Sequence, residues 1–494
     1  MIWTGDSVRH DNDEKIPRDE KEVKQLNEYC VGKFREVFSV DGKMQIPIVP
    51  TWGNNDVLPH NIFHRGPNKW TRLFLDVWRD FIPESQRHAF EYGGWFWSEV
   101  IPNKLAVLSV NSLYFADNNA AVEGCADKSQ PGYAQFEWLR VQLELLRERG
   151  MKAIIMGHQA PARTESKRSW DESCWQKYTL WLYQYRDIIV GTAWGHMNID
   201  HFMLQDVKDV TIGLLNREIP RERAKLDEEF TVSSVTDYLT ELRQLWHRLP
   251  SVPKQLGSTN ETDATEKKKT DKYYKEIGGP YGQRYSLSLV SPSVVPNYYP
   301  TLRVVEYNIS NLNSTTTPSG GKGTDLPSHL DPVLLSKKFK IPKSPSKSAP
   351  PGPAYSPQPL TWLKYTQYYS NLTIYNENID SIARKDAKNK DGDSKPHLRK
   401  LGYEIEYDTS DGDVYNMTDL TVLSYLKLAE TIGKYKPIQG SDLEPEKHRK
   451  DHKKDKKNKK KNELVNKVWH TFIRRVFVGA MEEDELEDHF GSPV

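Results

Sequence analysis

The sequence predicts an α/β protein whose sheet carries its chemistry along the carboxyl edge, and three observations predict it. Four apolar runs each stop at a glycine followed by a polar residue: Met1–Thr4 at Gly5-Asp6, Ile46–Trp52 at Gly53-Asn54, Met151–Met156 at Gly157-His158, and Ile188–Trp194 at Gly195-His196. Short apolar runs bounded in this way read as buried strands, and open α/β sheets bind ligands beyond the carboxyl ends of their strands. Next, Phe136, Leu139, Leu143 and Leu146 mark one face of a helix that ends at Gly150 and feeds the third run. With the strand-like stretch Leu105–Leu113 before it, that makes a βαβ unit. Finally, an apolar content of 37% and a mean hydropathy of −0.73 across 494 residues predict polar insertions around a smaller core.

The remaining elements follow in order. Residues 11–45 read as a charged insertion holding an amphipathic helix with Val23, Leu26 and Tyr29/Cys30 on one face. Residues 57–100 are rich in Trp, Phe and Pro. Their plain reading is a helix and hairpin packed on the sheet; the sharper one brings His60 and His64 to the site. After His158, the cations Arg163, Lys167 and Arg168 read either as a solvated loop or as a basic rim for an anion. Val232–Leu249 reads as a helix, residues 254–280 as a disordered Lys-rich insertion, and Tyr285–Val290 and Leu302–Ile309 as strands closing a second sheet. The expected domains are a core at 1–310, a disordered linker at 311–359 and a smaller folded segment at 360–440 packed on the core. A Lys-rich disordered run at 441–463, then a terminal helix and acidic tail at 464–494, complete the chain.

Composition narrows the function classes. With 69 Lys and Arg against 68 Asp and Glu, net charge says nothing about partners and only clustering can; the Lys447–Lys461 run is the candidate polyanion site, and no nucleic-acid partner is expected. No apolar run approaches the length of a membrane span. Neither a GxxxxGK[ST] loop nor a serine nucleophile elbow occurs, so metals must supply the chemistry. Cys30, Cys125 and Cys174 make neither a zinc knuckle nor a disulfide scaffold, and their odd count leaves a thiol over. Sequons at Asn260, Asn308, Asn313, Asn371 and Asn416 point to glycosylation in a secretory or vacuolar lumen.

Asp6, Asn54, His158 and His196 are the oxygen and imidazole donors that divalent metals take. In the order Gly-Asp, Gly-Asn, Gly-His, Gly-His they resemble the calcineurin-like metallophosphoesterases. The wording GDSVRHD, GNNDVLPHNIF, GHQAP and GHMNIDHF is similar to the acid sphingomyelinase-like branch and, within it, to the fungal vacuolar endopolyphosphatases. The resemblance implies two packed mixed sheets flanked by helices, and two divalent ions drawn from Zn, Mn, Mg, Co or Fe. Asp6 would bridge them, and Asn54, His158 and His196 would complete the second. His10 matches a histidine facing the scissile phosphate, and Arg9 and Arg163 are the candidate substrate contacts.

The sequence also departs from that pattern. No Asp-x-His precedes Asp6, Asn198 stands where a second histidine belongs, and Asn55 replaces a proton-donor histidine, which leaves His60 as the candidate donor. The first ion keeps only Asp6 and Asn198. The expectation is therefore that an upstream strand and a signal anchor belong to the protein, and that residues 1–494 alone hold about one ion with little turnover. The implied reaction is endo-cleavage of phosphoanhydride bonds in inorganic polyphosphate, in or on the membrane of the vacuole, with oligomers open. A lipid-type phosphodiesterase and a non-catalytic polyanion binder are the alternatives.

Overall fold

Each Gly-polar run does become a strand end. The computed structural model describes residues 1–9, 15–218, 232–253, 256, 264–294, 297–313, 326–336, 339–346, 349–376, 401–411, 414–435 and 466–491. Strand β1 (Ile2–Trp3) leads through helix α1 (Glu20–Phe38) and the small hairpin β2 (Ser39–Val40) and β3 (Lys43–Met44) to β4 (Val49–Pro50). β4 pairs with β1 in parallel, so Asp6 and Asn54 leave from the same edge. Helices α2 (Lys69–Val77) and α3 (Arg87–Gly93) follow, then β5 (Phe96–Ile101), β6 (Leu105–Ser109), α4 (Pro131–Glu148), β7 (Lys152–Gln159), α5 (Glu172–Gln184), β8 (Ile189–Gly195), β9 (His201–Asp206) and β10 (Tyr285–Val290).

The main sheet has the order β5-β6-β7-β8-β10-β9. Its central pairs β6–β7, β7–β8 and β8–β10 are parallel, and the antiparallel β5 and β9 close the two edges. β6, α4 and β7 form the expected βαβ unit. Every residue of β6 is buried, as a strand covered on both faces requires. The small β1/β4 sheet is tied to the main one where Thr51 Oγ1 donates to the Val110 carbonyl (2.9 Å) and Ser109 Oγ donates to the Pro50 carbonyl (2.7 Å). Strands β11 (Thr301–Tyr307), β12 (Trp362–Tyr369) and β13 (Glu404–Asp408) make a separate antiparallel sheet. The protein is thus α/β, with several packed sheets flanked by helices.

The aromatic stretch 57–100 is core. Trp52 sits among Phe63, Phe74, Trp78 and Phe90, with ring centroids 4.5 to 5.6 Å away, and its indole N–H is satisfied by the Gly94 carbonyl. α1 begins at Asp19, whose carboxylate accepts from the Glu22 N–H. Its buried face is Val23, Asn27 and Val31, and Tyr29 lies on the exposed side, one helical position from where the apolar spacing put it.

Three expectations are corrected. Residues 254–280 are not wholly disordered: Ala264–Ile277 is a helix with Thr270, Tyr273 and Ile277 buried at helical spacing beneath its lysines. The described part of 311–359 is no free linker either. Phe339 packs on Trp181 at 5.7 Å, and the Lys343 carbonyl accepts from Arg147, whose bidentate pair with Asp187 (2.6 and 2.9 Å) is buried in the core. β10, expected in a second sheet, inserts into the main one because its six residues are buried on both faces. The acidic tail forms a helix, Glu483–Phe490, anchored by buried Leu486 and Phe490. The terminal helix is described over 466–476, and the Lys447–Lys461 run lies outside the described residues. Among the described residues, no helix is long and apolar enough to cross a membrane. Cys125 and Cys174 form a disulfide, and Cys30 is the thiol left over.

A buried polar network fastens the small sheet to the main one. Asp200 accepts from Arg303 Nη2 (2.6 Å), Gln367 Nε2 (3.1 Å) and the Tyr407 hydroxyl, and its N–H donates to the Val476 carbonyl. Gln367 Nε2 also donates to Glu406 (2.7 Å). Burial, with Asp200 adding to it, pushes the Glu406 carboxyl up to about 8 against the pull of Gln367. A carboxyl raised in the folded state contributes stability below its unfolded pKa and loses it as pH rises towards about 8. Glu406→Gln is therefore expected to raise the apparent Tm above wild type at pH 8, with the gap closing by pH 5. Melting curves at the two pH values check it; a gap of the same size at both would remove Glu406 as the cause.

Candidate metal centre

Glycine precedes each donor because there is no room for a side chain: the β1 and β4 ends meet at Gly5 and Gly53, Gly157 lies against the Trp194 ring, and Gly195 against Thr4. A Cβ on Gly5 would stand 2.5 Å from the Gly53 nitrogen, and one on Gly53 would stand 2.1 Å from Asp6. The next residues turn sharply: Asp6 and His196 both hold left-handed backbones, φ 56° and 69°. Such conformations are costly for non-glycine residues and mark sites where geometry is imposed.

The four expected donors converge. His158 Nε2 lies 2.7 Å from Asn54 Oδ1, 3.2 Å from Asp6 Oδ2 and 3.2 Å from His196 Nδ1, and His196 Nδ1 lies 2.8 Å from Asn54 Oδ1. Asp6, Asn54 and His158 are buried and His196 half-buried. The protonation pattern follows from the neighbours. His158 Nδ1 is 2.6 Å from the Thr4 carbonyl, so it carries the ring proton and Nε2 presents a lone pair. Asn54 Nδ2 donates to His60 Nε2 (2.7 Å), which turns its Oδ1 inward. Ligand atoms of a carboxylate, an amide and two imidazoles thus converge on one point, where a cation could replace the imidazole protons that otherwise bridge them. This donor set fits a divalent transition metal, with Asp6, His158 and His196 as a metal-binding group. Burial alone would lower the His158 pKa, but the neighbouring Asp6 charge leaves it net raised, so without a cation Nε2 takes up a second proton that a bound metal would displace.

Asn55 braces Asp6. Its N–H donates to Asp6 Oδ1 (2.9 Å) and its amide to Asp6 Oδ2 (3.0 Å). His60, half-buried, reaches the centre through Asn54, whereas the His64 side chain is exposed and only its carbonyl is engaged. Asn198 follows with φ 57° and is half-buried. Asp200 and His201 lie just beyond in the chain; the first belongs to the Arg303 network, and the second bonds the Tyr238 hydroxyl (3.0 Å) with burial lowering its pKa to about 3. His10 lies outside the described residues.

The two candidate substrate arginines are both engaged by carboxylates. Arg9 pairs with Glu22 (2.8 Å). Arg163 pairs with Glu172 (3.0 Å) and Asp209 (3.7 Å) and stacks on Trp175 at 4.3 Å. Of the sequons, Asn313 and Asn416 are exposed, Asn308 and Asn371 half-buried, and Asn260 lies outside the described residues.

Sequence reasoning missed Asp56 and Arg18. Asp56 is fully buried and accepts from the backbone N–H groups of Asp6, Ser7 and Gly53 and from Asn27 Nδ2, each at 2.9 to 3.1 Å. It locks the β1 and β4 exits together, and burial, then the charge of Asp6, raises its pKa. Its place in Gly-Asn-Asn-Asp was the available signal. Arg18 sat in a run of charges and gave none.

No protein-family model matches the chain. Among curated proteins, the endopolyphosphatase of Neurospora crassa is 45% identical over 88% of this chain and 68% of its own length. That of Saccharomyces cerevisiae is 34% identical over 88% of this chain and 73% of its own, and that of Schizosaccharomyces pombe 34% over 87% and 69%. Identity of this extent, with the strand-end donors drawn to one point, places the chain in the endopolyphosphatase family.

Proposed function

We propose that the chain hydrolyses internal phosphoanhydride bonds of inorganic polyphosphate at the centre formed by Asp6, Asn54, His158 and His196. The observation that carries this is the convergence of their ligand atoms on one point, beside the family membership. Divalent metal bound there would polarise a phosphoryl oxygen and lower the pKa of a water towards neutrality. The chain's own residues do the holding. The Thr4 carbonyl fixes the His158 tautomer, His60 fixes the Asn54 amide, and Asn55 fixes both oxygens of Asp6. His60, with Nε2 accepting from Asn54, supports the ligand amide rather than the leaving group, and the leaving phosphate is acidic enough to need little proton donation. Four converging donors account for one ion; a second would share Asp6, with Asn198 as a further donor.

Incubation of the full-length protein with long polyphosphate and, side by side, a sphingomyelin analogue tests the reading. Shortening of the polyphosphate is expected, with no lipid cleavage. EDTA is expected to abolish it and Mn, Zn or Co to restore it, with metal per chain counted by mass spectrometry. Lipid cleavage alone would favour the phosphodiesterase, and a metal-free, inert protein that retains polyphosphate would favour the binder.

We also assign the protein to the lumen of the vacuole. The Cys125–Cys174 disulfide and the exposed Asn313 and Asn416 sequons support an oxidising, glycosylating route. A mobility shift on endoglycosidase treatment of the native protein checks it.

A further inference from the structure

We infer that Arg18 is a phosphate-binding residue of this centre, its Nε–Nη2 edge taking two non-bridging oxygens of the polyphosphate chain. The inference rests on the reading of the site as a polyphosphatase. Arg18 immediately precedes the Asp19 cap of α1 and is 6% exposed. Its Nη1 donates to the Arg9 carbonyl (3.0 Å), the Asn55 carbonyl (3.1 Å) and Asn55 Oδ1 (3.1 Å). Because Asn55 Nδ2 in turn donates to Asp6 Oδ2 (3.0 Å), the guanidinium stands one amide away from the metal-binding carboxylate.

The other side of the guanidinium is uncommitted. Nε and Nη2 are buried and have no hydrogen-bond partner among the described residues. Asp6, Glu22 and Asp56 act on Arg18 only at a distance. An arginine stays charged in proteins, and buried donors of this kind almost always have a partner, whether protein, water or ligand. Burial pulls the Arg18 pKa below its usual value, as expected of a cation short of counter-charge. Nε–H and Nη2–H lie on one edge of the planar group and make the fork that matches two phosphate oxygens.

The neighbouring cations do not compete for the role. Arg9 and Arg163 are both neutralised by carboxylates, whereas Arg18, held against Asn55, keeps two donors without a hydrogen-bond partner among the described residues. The acidic groups Asp6 and Asp56 line the same corner, and a polyanion approaching them needs a fixed positive charge in addition to metal. Recognition of a phosphoryl unit next to the one being cleaved is what separates a polyphosphate from a simple diester.

Titration calorimetry of inorganic tripolyphosphate into the full chain held in EDTA reads Arg18 apart from any metal. Arg18→Gln is expected to weaken binding about tenfold or more, and Arg18→Lys, a point charge without the fork, by about threefold. In turnover, Arg18→Gln is expected to raise KM for long polyphosphate more than it lowers kcat. Equal tripolyphosphate affinity in wild type and Arg18→Gln, or no binding by wild type, overturns the assignment. If Arg18→Gln fails to fold, Arg18→Lys at wild-type affinity overturns the fork. Wild type that binds tripolyphosphate through Arg18 yet cleaves no polyphosphate defeats the proposed function and leaves Arg18 standing. Wild type that cleaves, with affinity and KM unchanged in Arg18→Gln, defeats Arg18 alone.

Discussion

Replacing His158 with alanine is expected to abolish metal-dependent cleavage of polyphosphate, a loss of roughly a thousandfold or more. Changes in residues that merely orient a ligand typically cost about 10- to 100-fold. Removal of a ligand goes further, because His158 Nε2 meets each of Asp6, Asn54 and His196 within 3.2 Å, so its loss takes the middle out of the donor set. Metal content should fall in step with turnover, while the fold persists, since the β7 backbone pairs on both sides without the ring. His60→Ala is the graded companion: it frees the Asn54 amide to rotate and should cost closer to the 10- to 100-fold of a supporting residue. Full activity in His158→Ala, with metal still bound, would remove this centre as the site of hydrolysis.

The second large effect is expected from Arg303→Met. Arg303 is buried against Asp200, and its guanidinium also covers the Tyr365 ring at 4.0 Å. Removing one partner of a buried ion pair leaves the other charge without compensation, which typically costs about 3–5 kcal/mol. Asp200 lies four residues beyond His196 and takes hydrogen bonds from β12 and β13, so the strain should reach the metal-binding turn as well as the small sheet. The expected result is a markedly lower apparent Tm and weaker metal retention, restored together by adding Asp200→Leu, which removes the stranded charge. A melting point within a degree or two of wild type would show that Gln367 and Tyr407 suffice to stabilise Asp200.

How much of this was legible beforehand depended on whether the signal was local. Asp6, Asn54, His158 and His196 could be picked out because a buried strand that must approach another at its end leaves a glycine, and the next residue is thrown into the crevice. α4 and β6–β7 were legible for a similar reason: Phe136, Leu139, Leu143 and Leu146 repeat at helical spacing, and all four are buried. Local composition misled elsewhere. The lysines of 264–277 read as disorder, yet the helix needs only Thr270, Tyr273 and Ile277 on one side to stay seated.

By itself the sequence determined the α/β class, the parallel strand ends and the identities of the four donors, because those depend on periodicity and on residues adjacent in the chain. Tertiary structure alone decided the rest. Which nitrogen of His158 points inward is set by the Thr4 carbonyl, 154 residues away in the chain. Which arginine keeps donors to spare is set by whether Glu22, Glu172 or Asp209 lies within reach, as they do for Arg9 and Arg163 and not for Arg18. Charge and hydrogen-bond satisfaction are properties of a neighbourhood in space, and a linear string of residues carries no distances across it.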